Sequence, residues 1–125
     1  MKRVLVADDN GFVRSALRGY LAAREGLSVS EAVDGVEAIE KAKQLRPDLV
    51  VLDLAMPNLD GAQAASIIKH EMPEVPIILF TLHGSALDAL TSAIGIDIML
   101  DKFEGVQSLM RHVENALLRR KGASA

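Results

Sequence analysis

The stretch that decides the fold is Val-Val-Leu-Asp at residues 50–53 of a 125-residue chain. An uninterrupted aliphatic run of this kind is typical of a β-strand that is buried on both faces of a parallel sheet. Pro47 and Pro57 lie on either side of the run and limit it to the length of a strand. Because aspartate is a poor strand residue and costly to bury, we place Asp53 at the carboxyl end of the strand. Ligand sites in open parallel sheets gather at that edge.

The composition predicts one ordinary domain with an aliphatic core. Half of the residues are apolar, whereas only 3% are aromatic, and the chain contains no cysteine. The lack of cysteine excludes a disulfide framework, thiol chemistry and a thiolate metal site. A net charge of -3 gives no support to direct nucleic-acid binding. The N-terminal segment does not resemble a signal peptide and no apolar run has membrane-spanning length, so we expect a cytoplasmic protein with no membrane contact.

Apolar runs and helical periodicity alternate along the chain. Strands are predicted at residues 4–7, 27–30, 50–52, 77–80 and 96–100. Helices are predicted to begin at Asn10, Asp34, Asp60 and Ser85 and near Val106. The first helix is predicted to present Val13, Leu17, Tyr20 and Leu21 on its apolar face. Strict alternation predicts a three-layer, doubly wound α/β fold around a five-stranded parallel sheet, and the order 2-1-3-4-5 makes strands 1 and 3 neighbours. We assign residues 1–121 to this domain and residues 122–125 to a short disordered tail.

This strand order brings five polar side chains to one edge of the sheet: Asp8, Asp9, Asp53, Thr81 and Lys102. Taken alone, the first two acids are equally compatible with capping the first helix. Three carboxylates at close range cannot all be ionised unless cations join them. Lys102 supplies one charge, and an all-oxygen, partly hydrated site favours Mg²⁺, with Mn²⁺ able to substitute. A cation, a lysine and a hydroxyl group are what a phosphoryl group needs during transfer, so we interpret Asp53 as a nucleophile that accepts phosphate.

The ordered set of motifs resembles the receiver domain of two-component response regulators, especially the single-domain chemotaxis type. The resemblance covers Val4 to about Leu118, and its motifs are Asp8-Asp9, Asp53, Met56-Pro57, Gly61, Thr81 and Lys102. It implies a flavodoxin-like receiver fold with Asp53 as the phosphoacceptor. It also implies that Asp9, Asp53 and the backbone carbonyl of Ala55 bind Mg²⁺ directly, while Asp8 acts mainly through metal-bound water. Lys102 and the Thr81 hydroxyl would contact the phosphoryl oxygens.

The same resemblance implies a signalling role rather than an enzyme that turns over a separate substrate. Phosphate would come from the phosphohistidine of a sensor histidine kinase or a phosphotransfer domain, and slow self-catalysed hydrolysis would remove it. Phosphorylation would shift a conformational equilibrium at the surface formed by the fourth predicted helix, the fifth strand and the fifth predicted helix. That surface would bind a downstream protein or an output domain, and the chain would be a monomer or a phosphorylation-dependent dimer.

Three residues depart from the family pattern and keep an alternative open: Phe103, Met99 and Leu82. Lys102 is followed by Phe103 instead of proline, so we expect a trans peptide bond and an altered loop there. Met99 stands where the family usually has tyrosine or phenylalanine, and Leu82 is bulkier than the usual residue after the threonine. His83 borders the expected path of the attacking water. The alternative is a receiver-like docking module with impaired switching.

An enzyme of the haloacid dehalogenase type is a third hypothesis. Such phosphatases and phosphotransferases use an aspartyl intermediate with a second acid two residues after the nucleophile. Asp53-Leu54-Ala55 lacks that acid, and the chain has no room for a cap domain.

Overall fold

The computed structural model describes residues 1–81, 98–102 and 105–124. For residues 98, 99, 101 and 119–124 it describes the backbone alone. Five parallel strands form one sheet: β1 (Lys2–Ala7), β2 (Leu27–Ala32), β3 (Leu49–Leu52), β4 (Ile77–Thr81) and β5 (Ile98–Asp101). Their order is β2-β1-β3-β4-β5. The predicted fold class and strand order are therefore confirmed.

The described helices are α1 (Gly11–Ala22), α2 (Gly35–Leu45), α3 (Gly61–Glu71) and α4 (Val106–Ser124), and α4 corresponds to the fifth predicted helix. The first three begin at the predicted caps. The side-chain oxygens of Asn10, Asp34 and Asp60 each accept a hydrogen bond from a backbone N–H in the first turn. These bonds satisfy N–H groups that have no partner within the helix, which is why the helices start where they do.

The sheet separates two hydrophobic clusters, because alternate side chains of a strand point to opposite faces. On one face, Leu5, Val50 and Leu79 pack with apolar residues of α2 and α3. On the other face, Val6 and Val51 pack with residues of α1 and α4, such as Leu109. Near-complete burial of residues 4–7 of β1 and of all of β3 and β4 explains the continuous aliphatic runs in these strands. Within the segments that the structure describes, no helix is long and apolar enough to cross a membrane.

One local prediction differs from the structure. Tyr20 was expected to be on the buried face of α1, yet it is 57% exposed. It lines a groove between α1 and α4, so it lies at the margin of the buried face rather than within it. The last helix, α4, extends to Ser124. The domain boundary at residue 121 and the disordered tail over residues 122–125 remain predictions.

Several predictions lie outside the described residues. They concern the helix that begins at Ser85, the effects of Leu82 and His83, and the peptide bond between Lys102 and Phe103. The side chain of Met99 also lies outside them, although its backbone is part of β5.

Candidate functional site

The site begins where β1 and β3 end side by side. Ala7 and Leu52 are register partners in the parallel pair, and the Asp53 backbone N–H donates to the Ala7 carbonyl oxygen at 2.9 Å. On the other side of β1, the Asp8 backbone N–H donates to Ala32 in β2 at 3.1 Å. These ladder bonds fix Asp8 and Asp53 at the same level of the sheet, as the sequence-based strand order predicted.

The carboxylates of Asp8, Asp9 and Asp53 form one acidic cluster. One oxygen from each lies within 4.8 Å of the others. Asp8 is 2% exposed and Asp53 is 7% exposed, whereas Asp9 faces solvent. Two buried acids and one solvent-exposed acid thus lie together at this edge of the sheet.

Lys102 brings the balancing charge from the end of β5. Its Nζ lies 2.9 Å from Oδ2 of Asp8 and 3.5 Å from Oδ1 of Asp53. The shorter contact is a hydrogen bond between residues that are 94 positions apart in the chain. The lysine therefore reaches the acidic cluster even though phenylalanine follows it in place of the family's usual proline.

The electrostatics of Asp53 reflect an excess of negative charge. Burial raises the pKa of Asp53, the Asp8 carboxylate raises it further, and the Lys102 ammonium group acts in the opposite direction. Three carboxylates with one lysine would leave the cluster negative if all of them were ionised. A set of clustered oxygen donors with uncompensated negative charge fits a hard divalent cation such as Mg²⁺.

The other two predicted site residues lie at the same edge of the sheet. Thr81 closes β4, the neighbour of β3, and is 1% exposed. Ala55 is exposed, two residues beyond Asp53 in the loop that leads to α3. The predicted contacts of the Thr81 hydroxyl and of the Ala55 carbonyl remain predictions.

The loop between β3 and α3 is anchored at both ends by close backbone contacts. Gly61 begins α3 so close to the sheet that a Cβ atom there would lie 2.1 Å from the carbonyl oxygen of Asp53. A Cβ atom on Gly35, at the start of α2, would lie 2.1 Å from the carbonyl oxygen of Leu59 in this loop. Asn58 adopts a left-handed φ of 68°, and its side-chain amide donates to Asp34 at 2.8 Å. The segment that carries Ala55 is therefore held by two helix starts.

Sequence reasoning missed a second layer of contacts around Asp8. The Asp8 carboxylate does not cap α1, because Asn10 does so and its own backbone N–H donates to Oδ1 of Asp8 at 2.9 Å. The guanidinium group of Arg14 donates to the Asp8 carbonyl oxygen at 2.7 Å and to Glu31 at 3.0 Å. The sequence feature that could have indicated these contacts is Arg14 itself, a charged residue one turn after Asn10 and next to the buried residues of α1.

The two histidines described, His70 and His112, lie in α3 and α4 rather than in the acidic cluster.

Comparisons with known proteins agree with this geometry. The family model of the response regulator receiver domain matches residues 4–114. Transcriptional regulatory protein PrrA of Mycobacterium leprae is 38% identical over 98% of this chain and 52% of its own length. Protein-glutamate methylesterase/protein-glutamine glutaminase 1 of Methanosarcina acetivorans is 46% identical over 70% of this chain and 27% of its own length. The chain thus spans about half, or less, of these two relatives, and in the second it matches only a part of a larger protein.

Solved structures give the same result. The response regulator domain of Thermotoga maritima CheB has a TM-score of 0.78 and 29% identity, with 98% of this chain and 96% of that chain covered. A LuxR-family two-component response regulator from Aurantimonas sp. SI85-9A1 has a TM-score of 0.87 and 31% identity, with 94% and 86% covered. A CheY-like receiver domain protein from Methanospirillum hungatei has a TM-score of 0.92 at 20% identity, with 98% of each chain covered, and supports the fold alone.

The fold and site define a signalling module built on a parallel sheet with acids at its carboxyl edge. The chain belongs to the response regulator receiver domain family.

Proposed function

We propose that this chain accepts a phosphoryl group on Asp53, with Mg²⁺ bound, from the phosphohistidine of a sensor histidine kinase or a phosphotransfer domain. One observation carries the proposal. Asp53 directly follows β3, and its carboxylate lies in a cluster with two further acids, with the Lys102 ammonium group 3.5 Å away. This arrangement joins a nucleophilic oxygen to groups that can offset the charge of a phosphoryl group in transfer.

The residues of the cluster have distinct roles in this proposal. An oxygen of Asp53 attacks phosphorus, a P–O bond forms, and the P–N bond breaks as its electron pair returns to the imidazole nitrogen. Lys102 pairs with the phosphoryl oxygens as negative charge moves onto the site, and the Thr81 hydroxyl donates to one of them. Asp9, Asp53 and the Ala55 carbonyl would hold the cation directly, and Asp8 would hold it through water. When bound, Mg²⁺ offsets the charge of the transferring phosphoryl oxygens.

Removal of the phosphate would restore the starting carboxylate. Water attacks phosphorus, the P–O bond to Asp53 breaks, and inorganic phosphate leaves. While Asp53 is phosphorylated, the contact between the Thr81 hydroxyl and a phosphoryl oxygen would pull on the segment after β4. This pull would shift the conformational equilibrium of a surface that binds partners, here called the output surface. That surface combines the predicted helix over residues 85–94 with β5 and α4, and would bind a downstream protein or an output domain.

Mass spectrometry after incubation with acetyl phosphate and Mg²⁺ tests the phosphoacceptor. We expect one added phosphoryl group on Asp53, none in the Asp53→Asn variant, and normal labelling in Asp60→Asn, which keeps a capping side chain outside the cluster. Label that persists in Asp53→Asn, or that maps to another residue, would contradict the assignment. Turnover of a small phosphoester at ordinary enzymic rates would instead support a phosphatase.

A docking module with impaired switching is the second candidate, and Met99 in β5 favours it. Methionine has neither the ring nor the hydroxyl group of the tyrosine or phenylalanine that the family usually has there. Beryllofluoride with Mg²⁺, which mimics the phosphorylated state, separates the two functions in an NMR amide spectrum. Shifts that reach β5 and α4 support switching, whereas shifts confined to the cluster support constitutive docking.

A further inference from the structure

Every backbone and side-chain polar atom of Asp8 has a hydrogen-bond partner, and Arg14 provides one of the four contacts. The backbone N–H donates to Ala32, Oδ1 accepts from the Asn10 N–H, and Oδ2 accepts from Lys102. The fourth atom, the main-chain carbonyl oxygen, accepts from Nη1 of Arg14 at 2.7 Å. This carbonyl belongs to the planar peptide that joins Asp8 to Asp9, so a bond to its oxygen fixes the plane from which Asp9 departs.

We propose that Arg14 is a positioning residue of the cation site, which sets the direction of the Asp9 carboxylate by clamping the Asp8–Asp9 peptide. This inference rests on the proposed function, since it concerns the acid expected to bind Mg²⁺ directly. Asp9 faces solvent, unlike Asp8, so packing does little to orient it. The peptide clamp supplies the orientation that burial supplies for Asp8 and Asp53.

Glu31 holds the clamp in place from β2. Its Oε1 accepts from Nε of Arg14 at 3.0 Å, so one planar guanidinium group bridges the edge strand and the Asp8 carbonyl. Residues in such supporting contacts typically change metal affinity about 10–100-fold when they are replaced. The Arg14 side chain is 20% exposed, which is consistent with a structural position rather than a solvated surface charge.

Arg18 provides a matched control on the same helix. Its Nη1 also pairs with Glu31, at 2.7 Å, but its side chain is 59% exposed. The structure gives it no contact with Asp8. Replacement of either arginine by glutamine removes one positive charge from α1, whereas only replacement of Arg14 removes the bond to the Asp8–Asp9 peptide.

The experiment is a Mg²⁺ titration followed by the amide resonances of Asp8, Asp9 and Asp53 in the full chain. Arg14→Gln is expected to raise the Kd for Mg²⁺ about tenfold. Arg18→Gln is expected to stay within about twofold of the unsubstituted chain, since the bond to the peptide is intact. Arg14→Lys keeps the charge but cannot bridge both partners, so its affinity is expected to stay well below that of the unsubstituted chain.

Phosphate uptake from acetyl phosphate gives a second readout that a general loss of stability would not produce. Arg14→Gln is expected to need more Mg²⁺ for half-maximal uptake and to reach the unsubstituted rate at saturating Mg²⁺. Equal Kd values for Arg14→Gln and Arg18→Gln, or full recovery in Arg14→Lys, would overturn the role of Arg14. A chain that binds no Mg²⁺ before any substitution would refute the proposed function instead.

Discussion

Replacement of Gly61 by alanine tests how closely α3 is packed against the end of β3. The added Cβ atom would lie 2.1 Å from the Asp53 carbonyl oxygen and 2.9 Å from both the Asp53 carbonyl carbon and the Leu54 Cα atom. All three are backbone atoms, so no side chain can rotate away and either α3 or the Asp53 peptide must move.

The expected cost is about 3 kcal/mol in the free energy of unfolding, the upper end of the usual range for an overpacked site. This is a large share of a total stability on the order of 10 kcal/mol for a domain of this size. It corresponds to a Tm that is lower by roughly 10 °C. Because the displaced atoms belong to Asp53, the Mg²⁺ affinity of the acidic cluster should fall as well.

Urea unfolding followed by circular dichroism measures the stability change, and an NMR titration measures the affinity. Gly19→Ala is the matched control, since a Cβ atom at that position in α1 meets no other atom within 4 Å. It should raise stability by up to about 1 kcal/mol through helix propensity. Equal urea midpoints for the two variants would show that α3 does not pack as closely against the Asp53 backbone as described.

Three further predictions concern charge and capping at the site. Burial raises the pKa of Asp53 in the folded state, so the protonated carboxyl group favours folding and this contribution is lost as the pH rises through the raised pKa. Asparagine is uncharged at every pH, so Asp53→Asn should be more stable than the unsubstituted protein near neutral pH. Urea unfolding across a pH series should show this advantage shrinking in acid, and a constant difference would contradict the cause. Lys102→Met should bind Mg²⁺ more tightly, because the ammonium group 2.9 Å from Asp8 no longer competes with the cation for the acidic cluster. The same variant should take up phosphate more slowly. Calorimetry measures the affinity and a labelling time course the rate, and unchanged affinity would contradict the competition. Asp60→Ala should lose about 1 kcal/mol of stability with the N-cap of α3, whereas Asp60→Asn should not, and equal unfolding midpoints would argue against the cap.

The sequence was sufficient for features that depend on local signals. The aliphatic run at 50–52 and the caps at Asn10, Asp34 and Asp60 are encoded within a few residues, and the structure confirms each one. Strict alternation of strands and helices then restricted the topology, because parallel neighbours need crossovers of one hand. The convergence of Asp8 and Asp53 followed from strand order alone.

Contacts between distant side chains could not be derived in the same way. Periodicity placed Tyr20 on the buried face of α1, but the width of that face depends on how α4 packs beside it. Arg14 and Glu31 are 17 positions apart, and neither residue type nor spacing shows that they meet beside Asp8. The roles of Thr81 and the Ala55 carbonyl depend on a bound phosphoryl group and cation, so they stay predictions.

The hydrogen bond between Asp8 and Lys102 spans 94 positions, and this separation has a consequence for synthesis of the protein. A nascent chain whose C-terminal part is still inside the ribosome can already contain both acidic strands, yet it has no lysine to balance them. In such an intermediate Lys102 is not yet available to the acids, whereas in the complete chain its ammonium group donates to Asp8. The contact between Lys102 and the acidic cluster can therefore form only after the fifth strand has been synthesised.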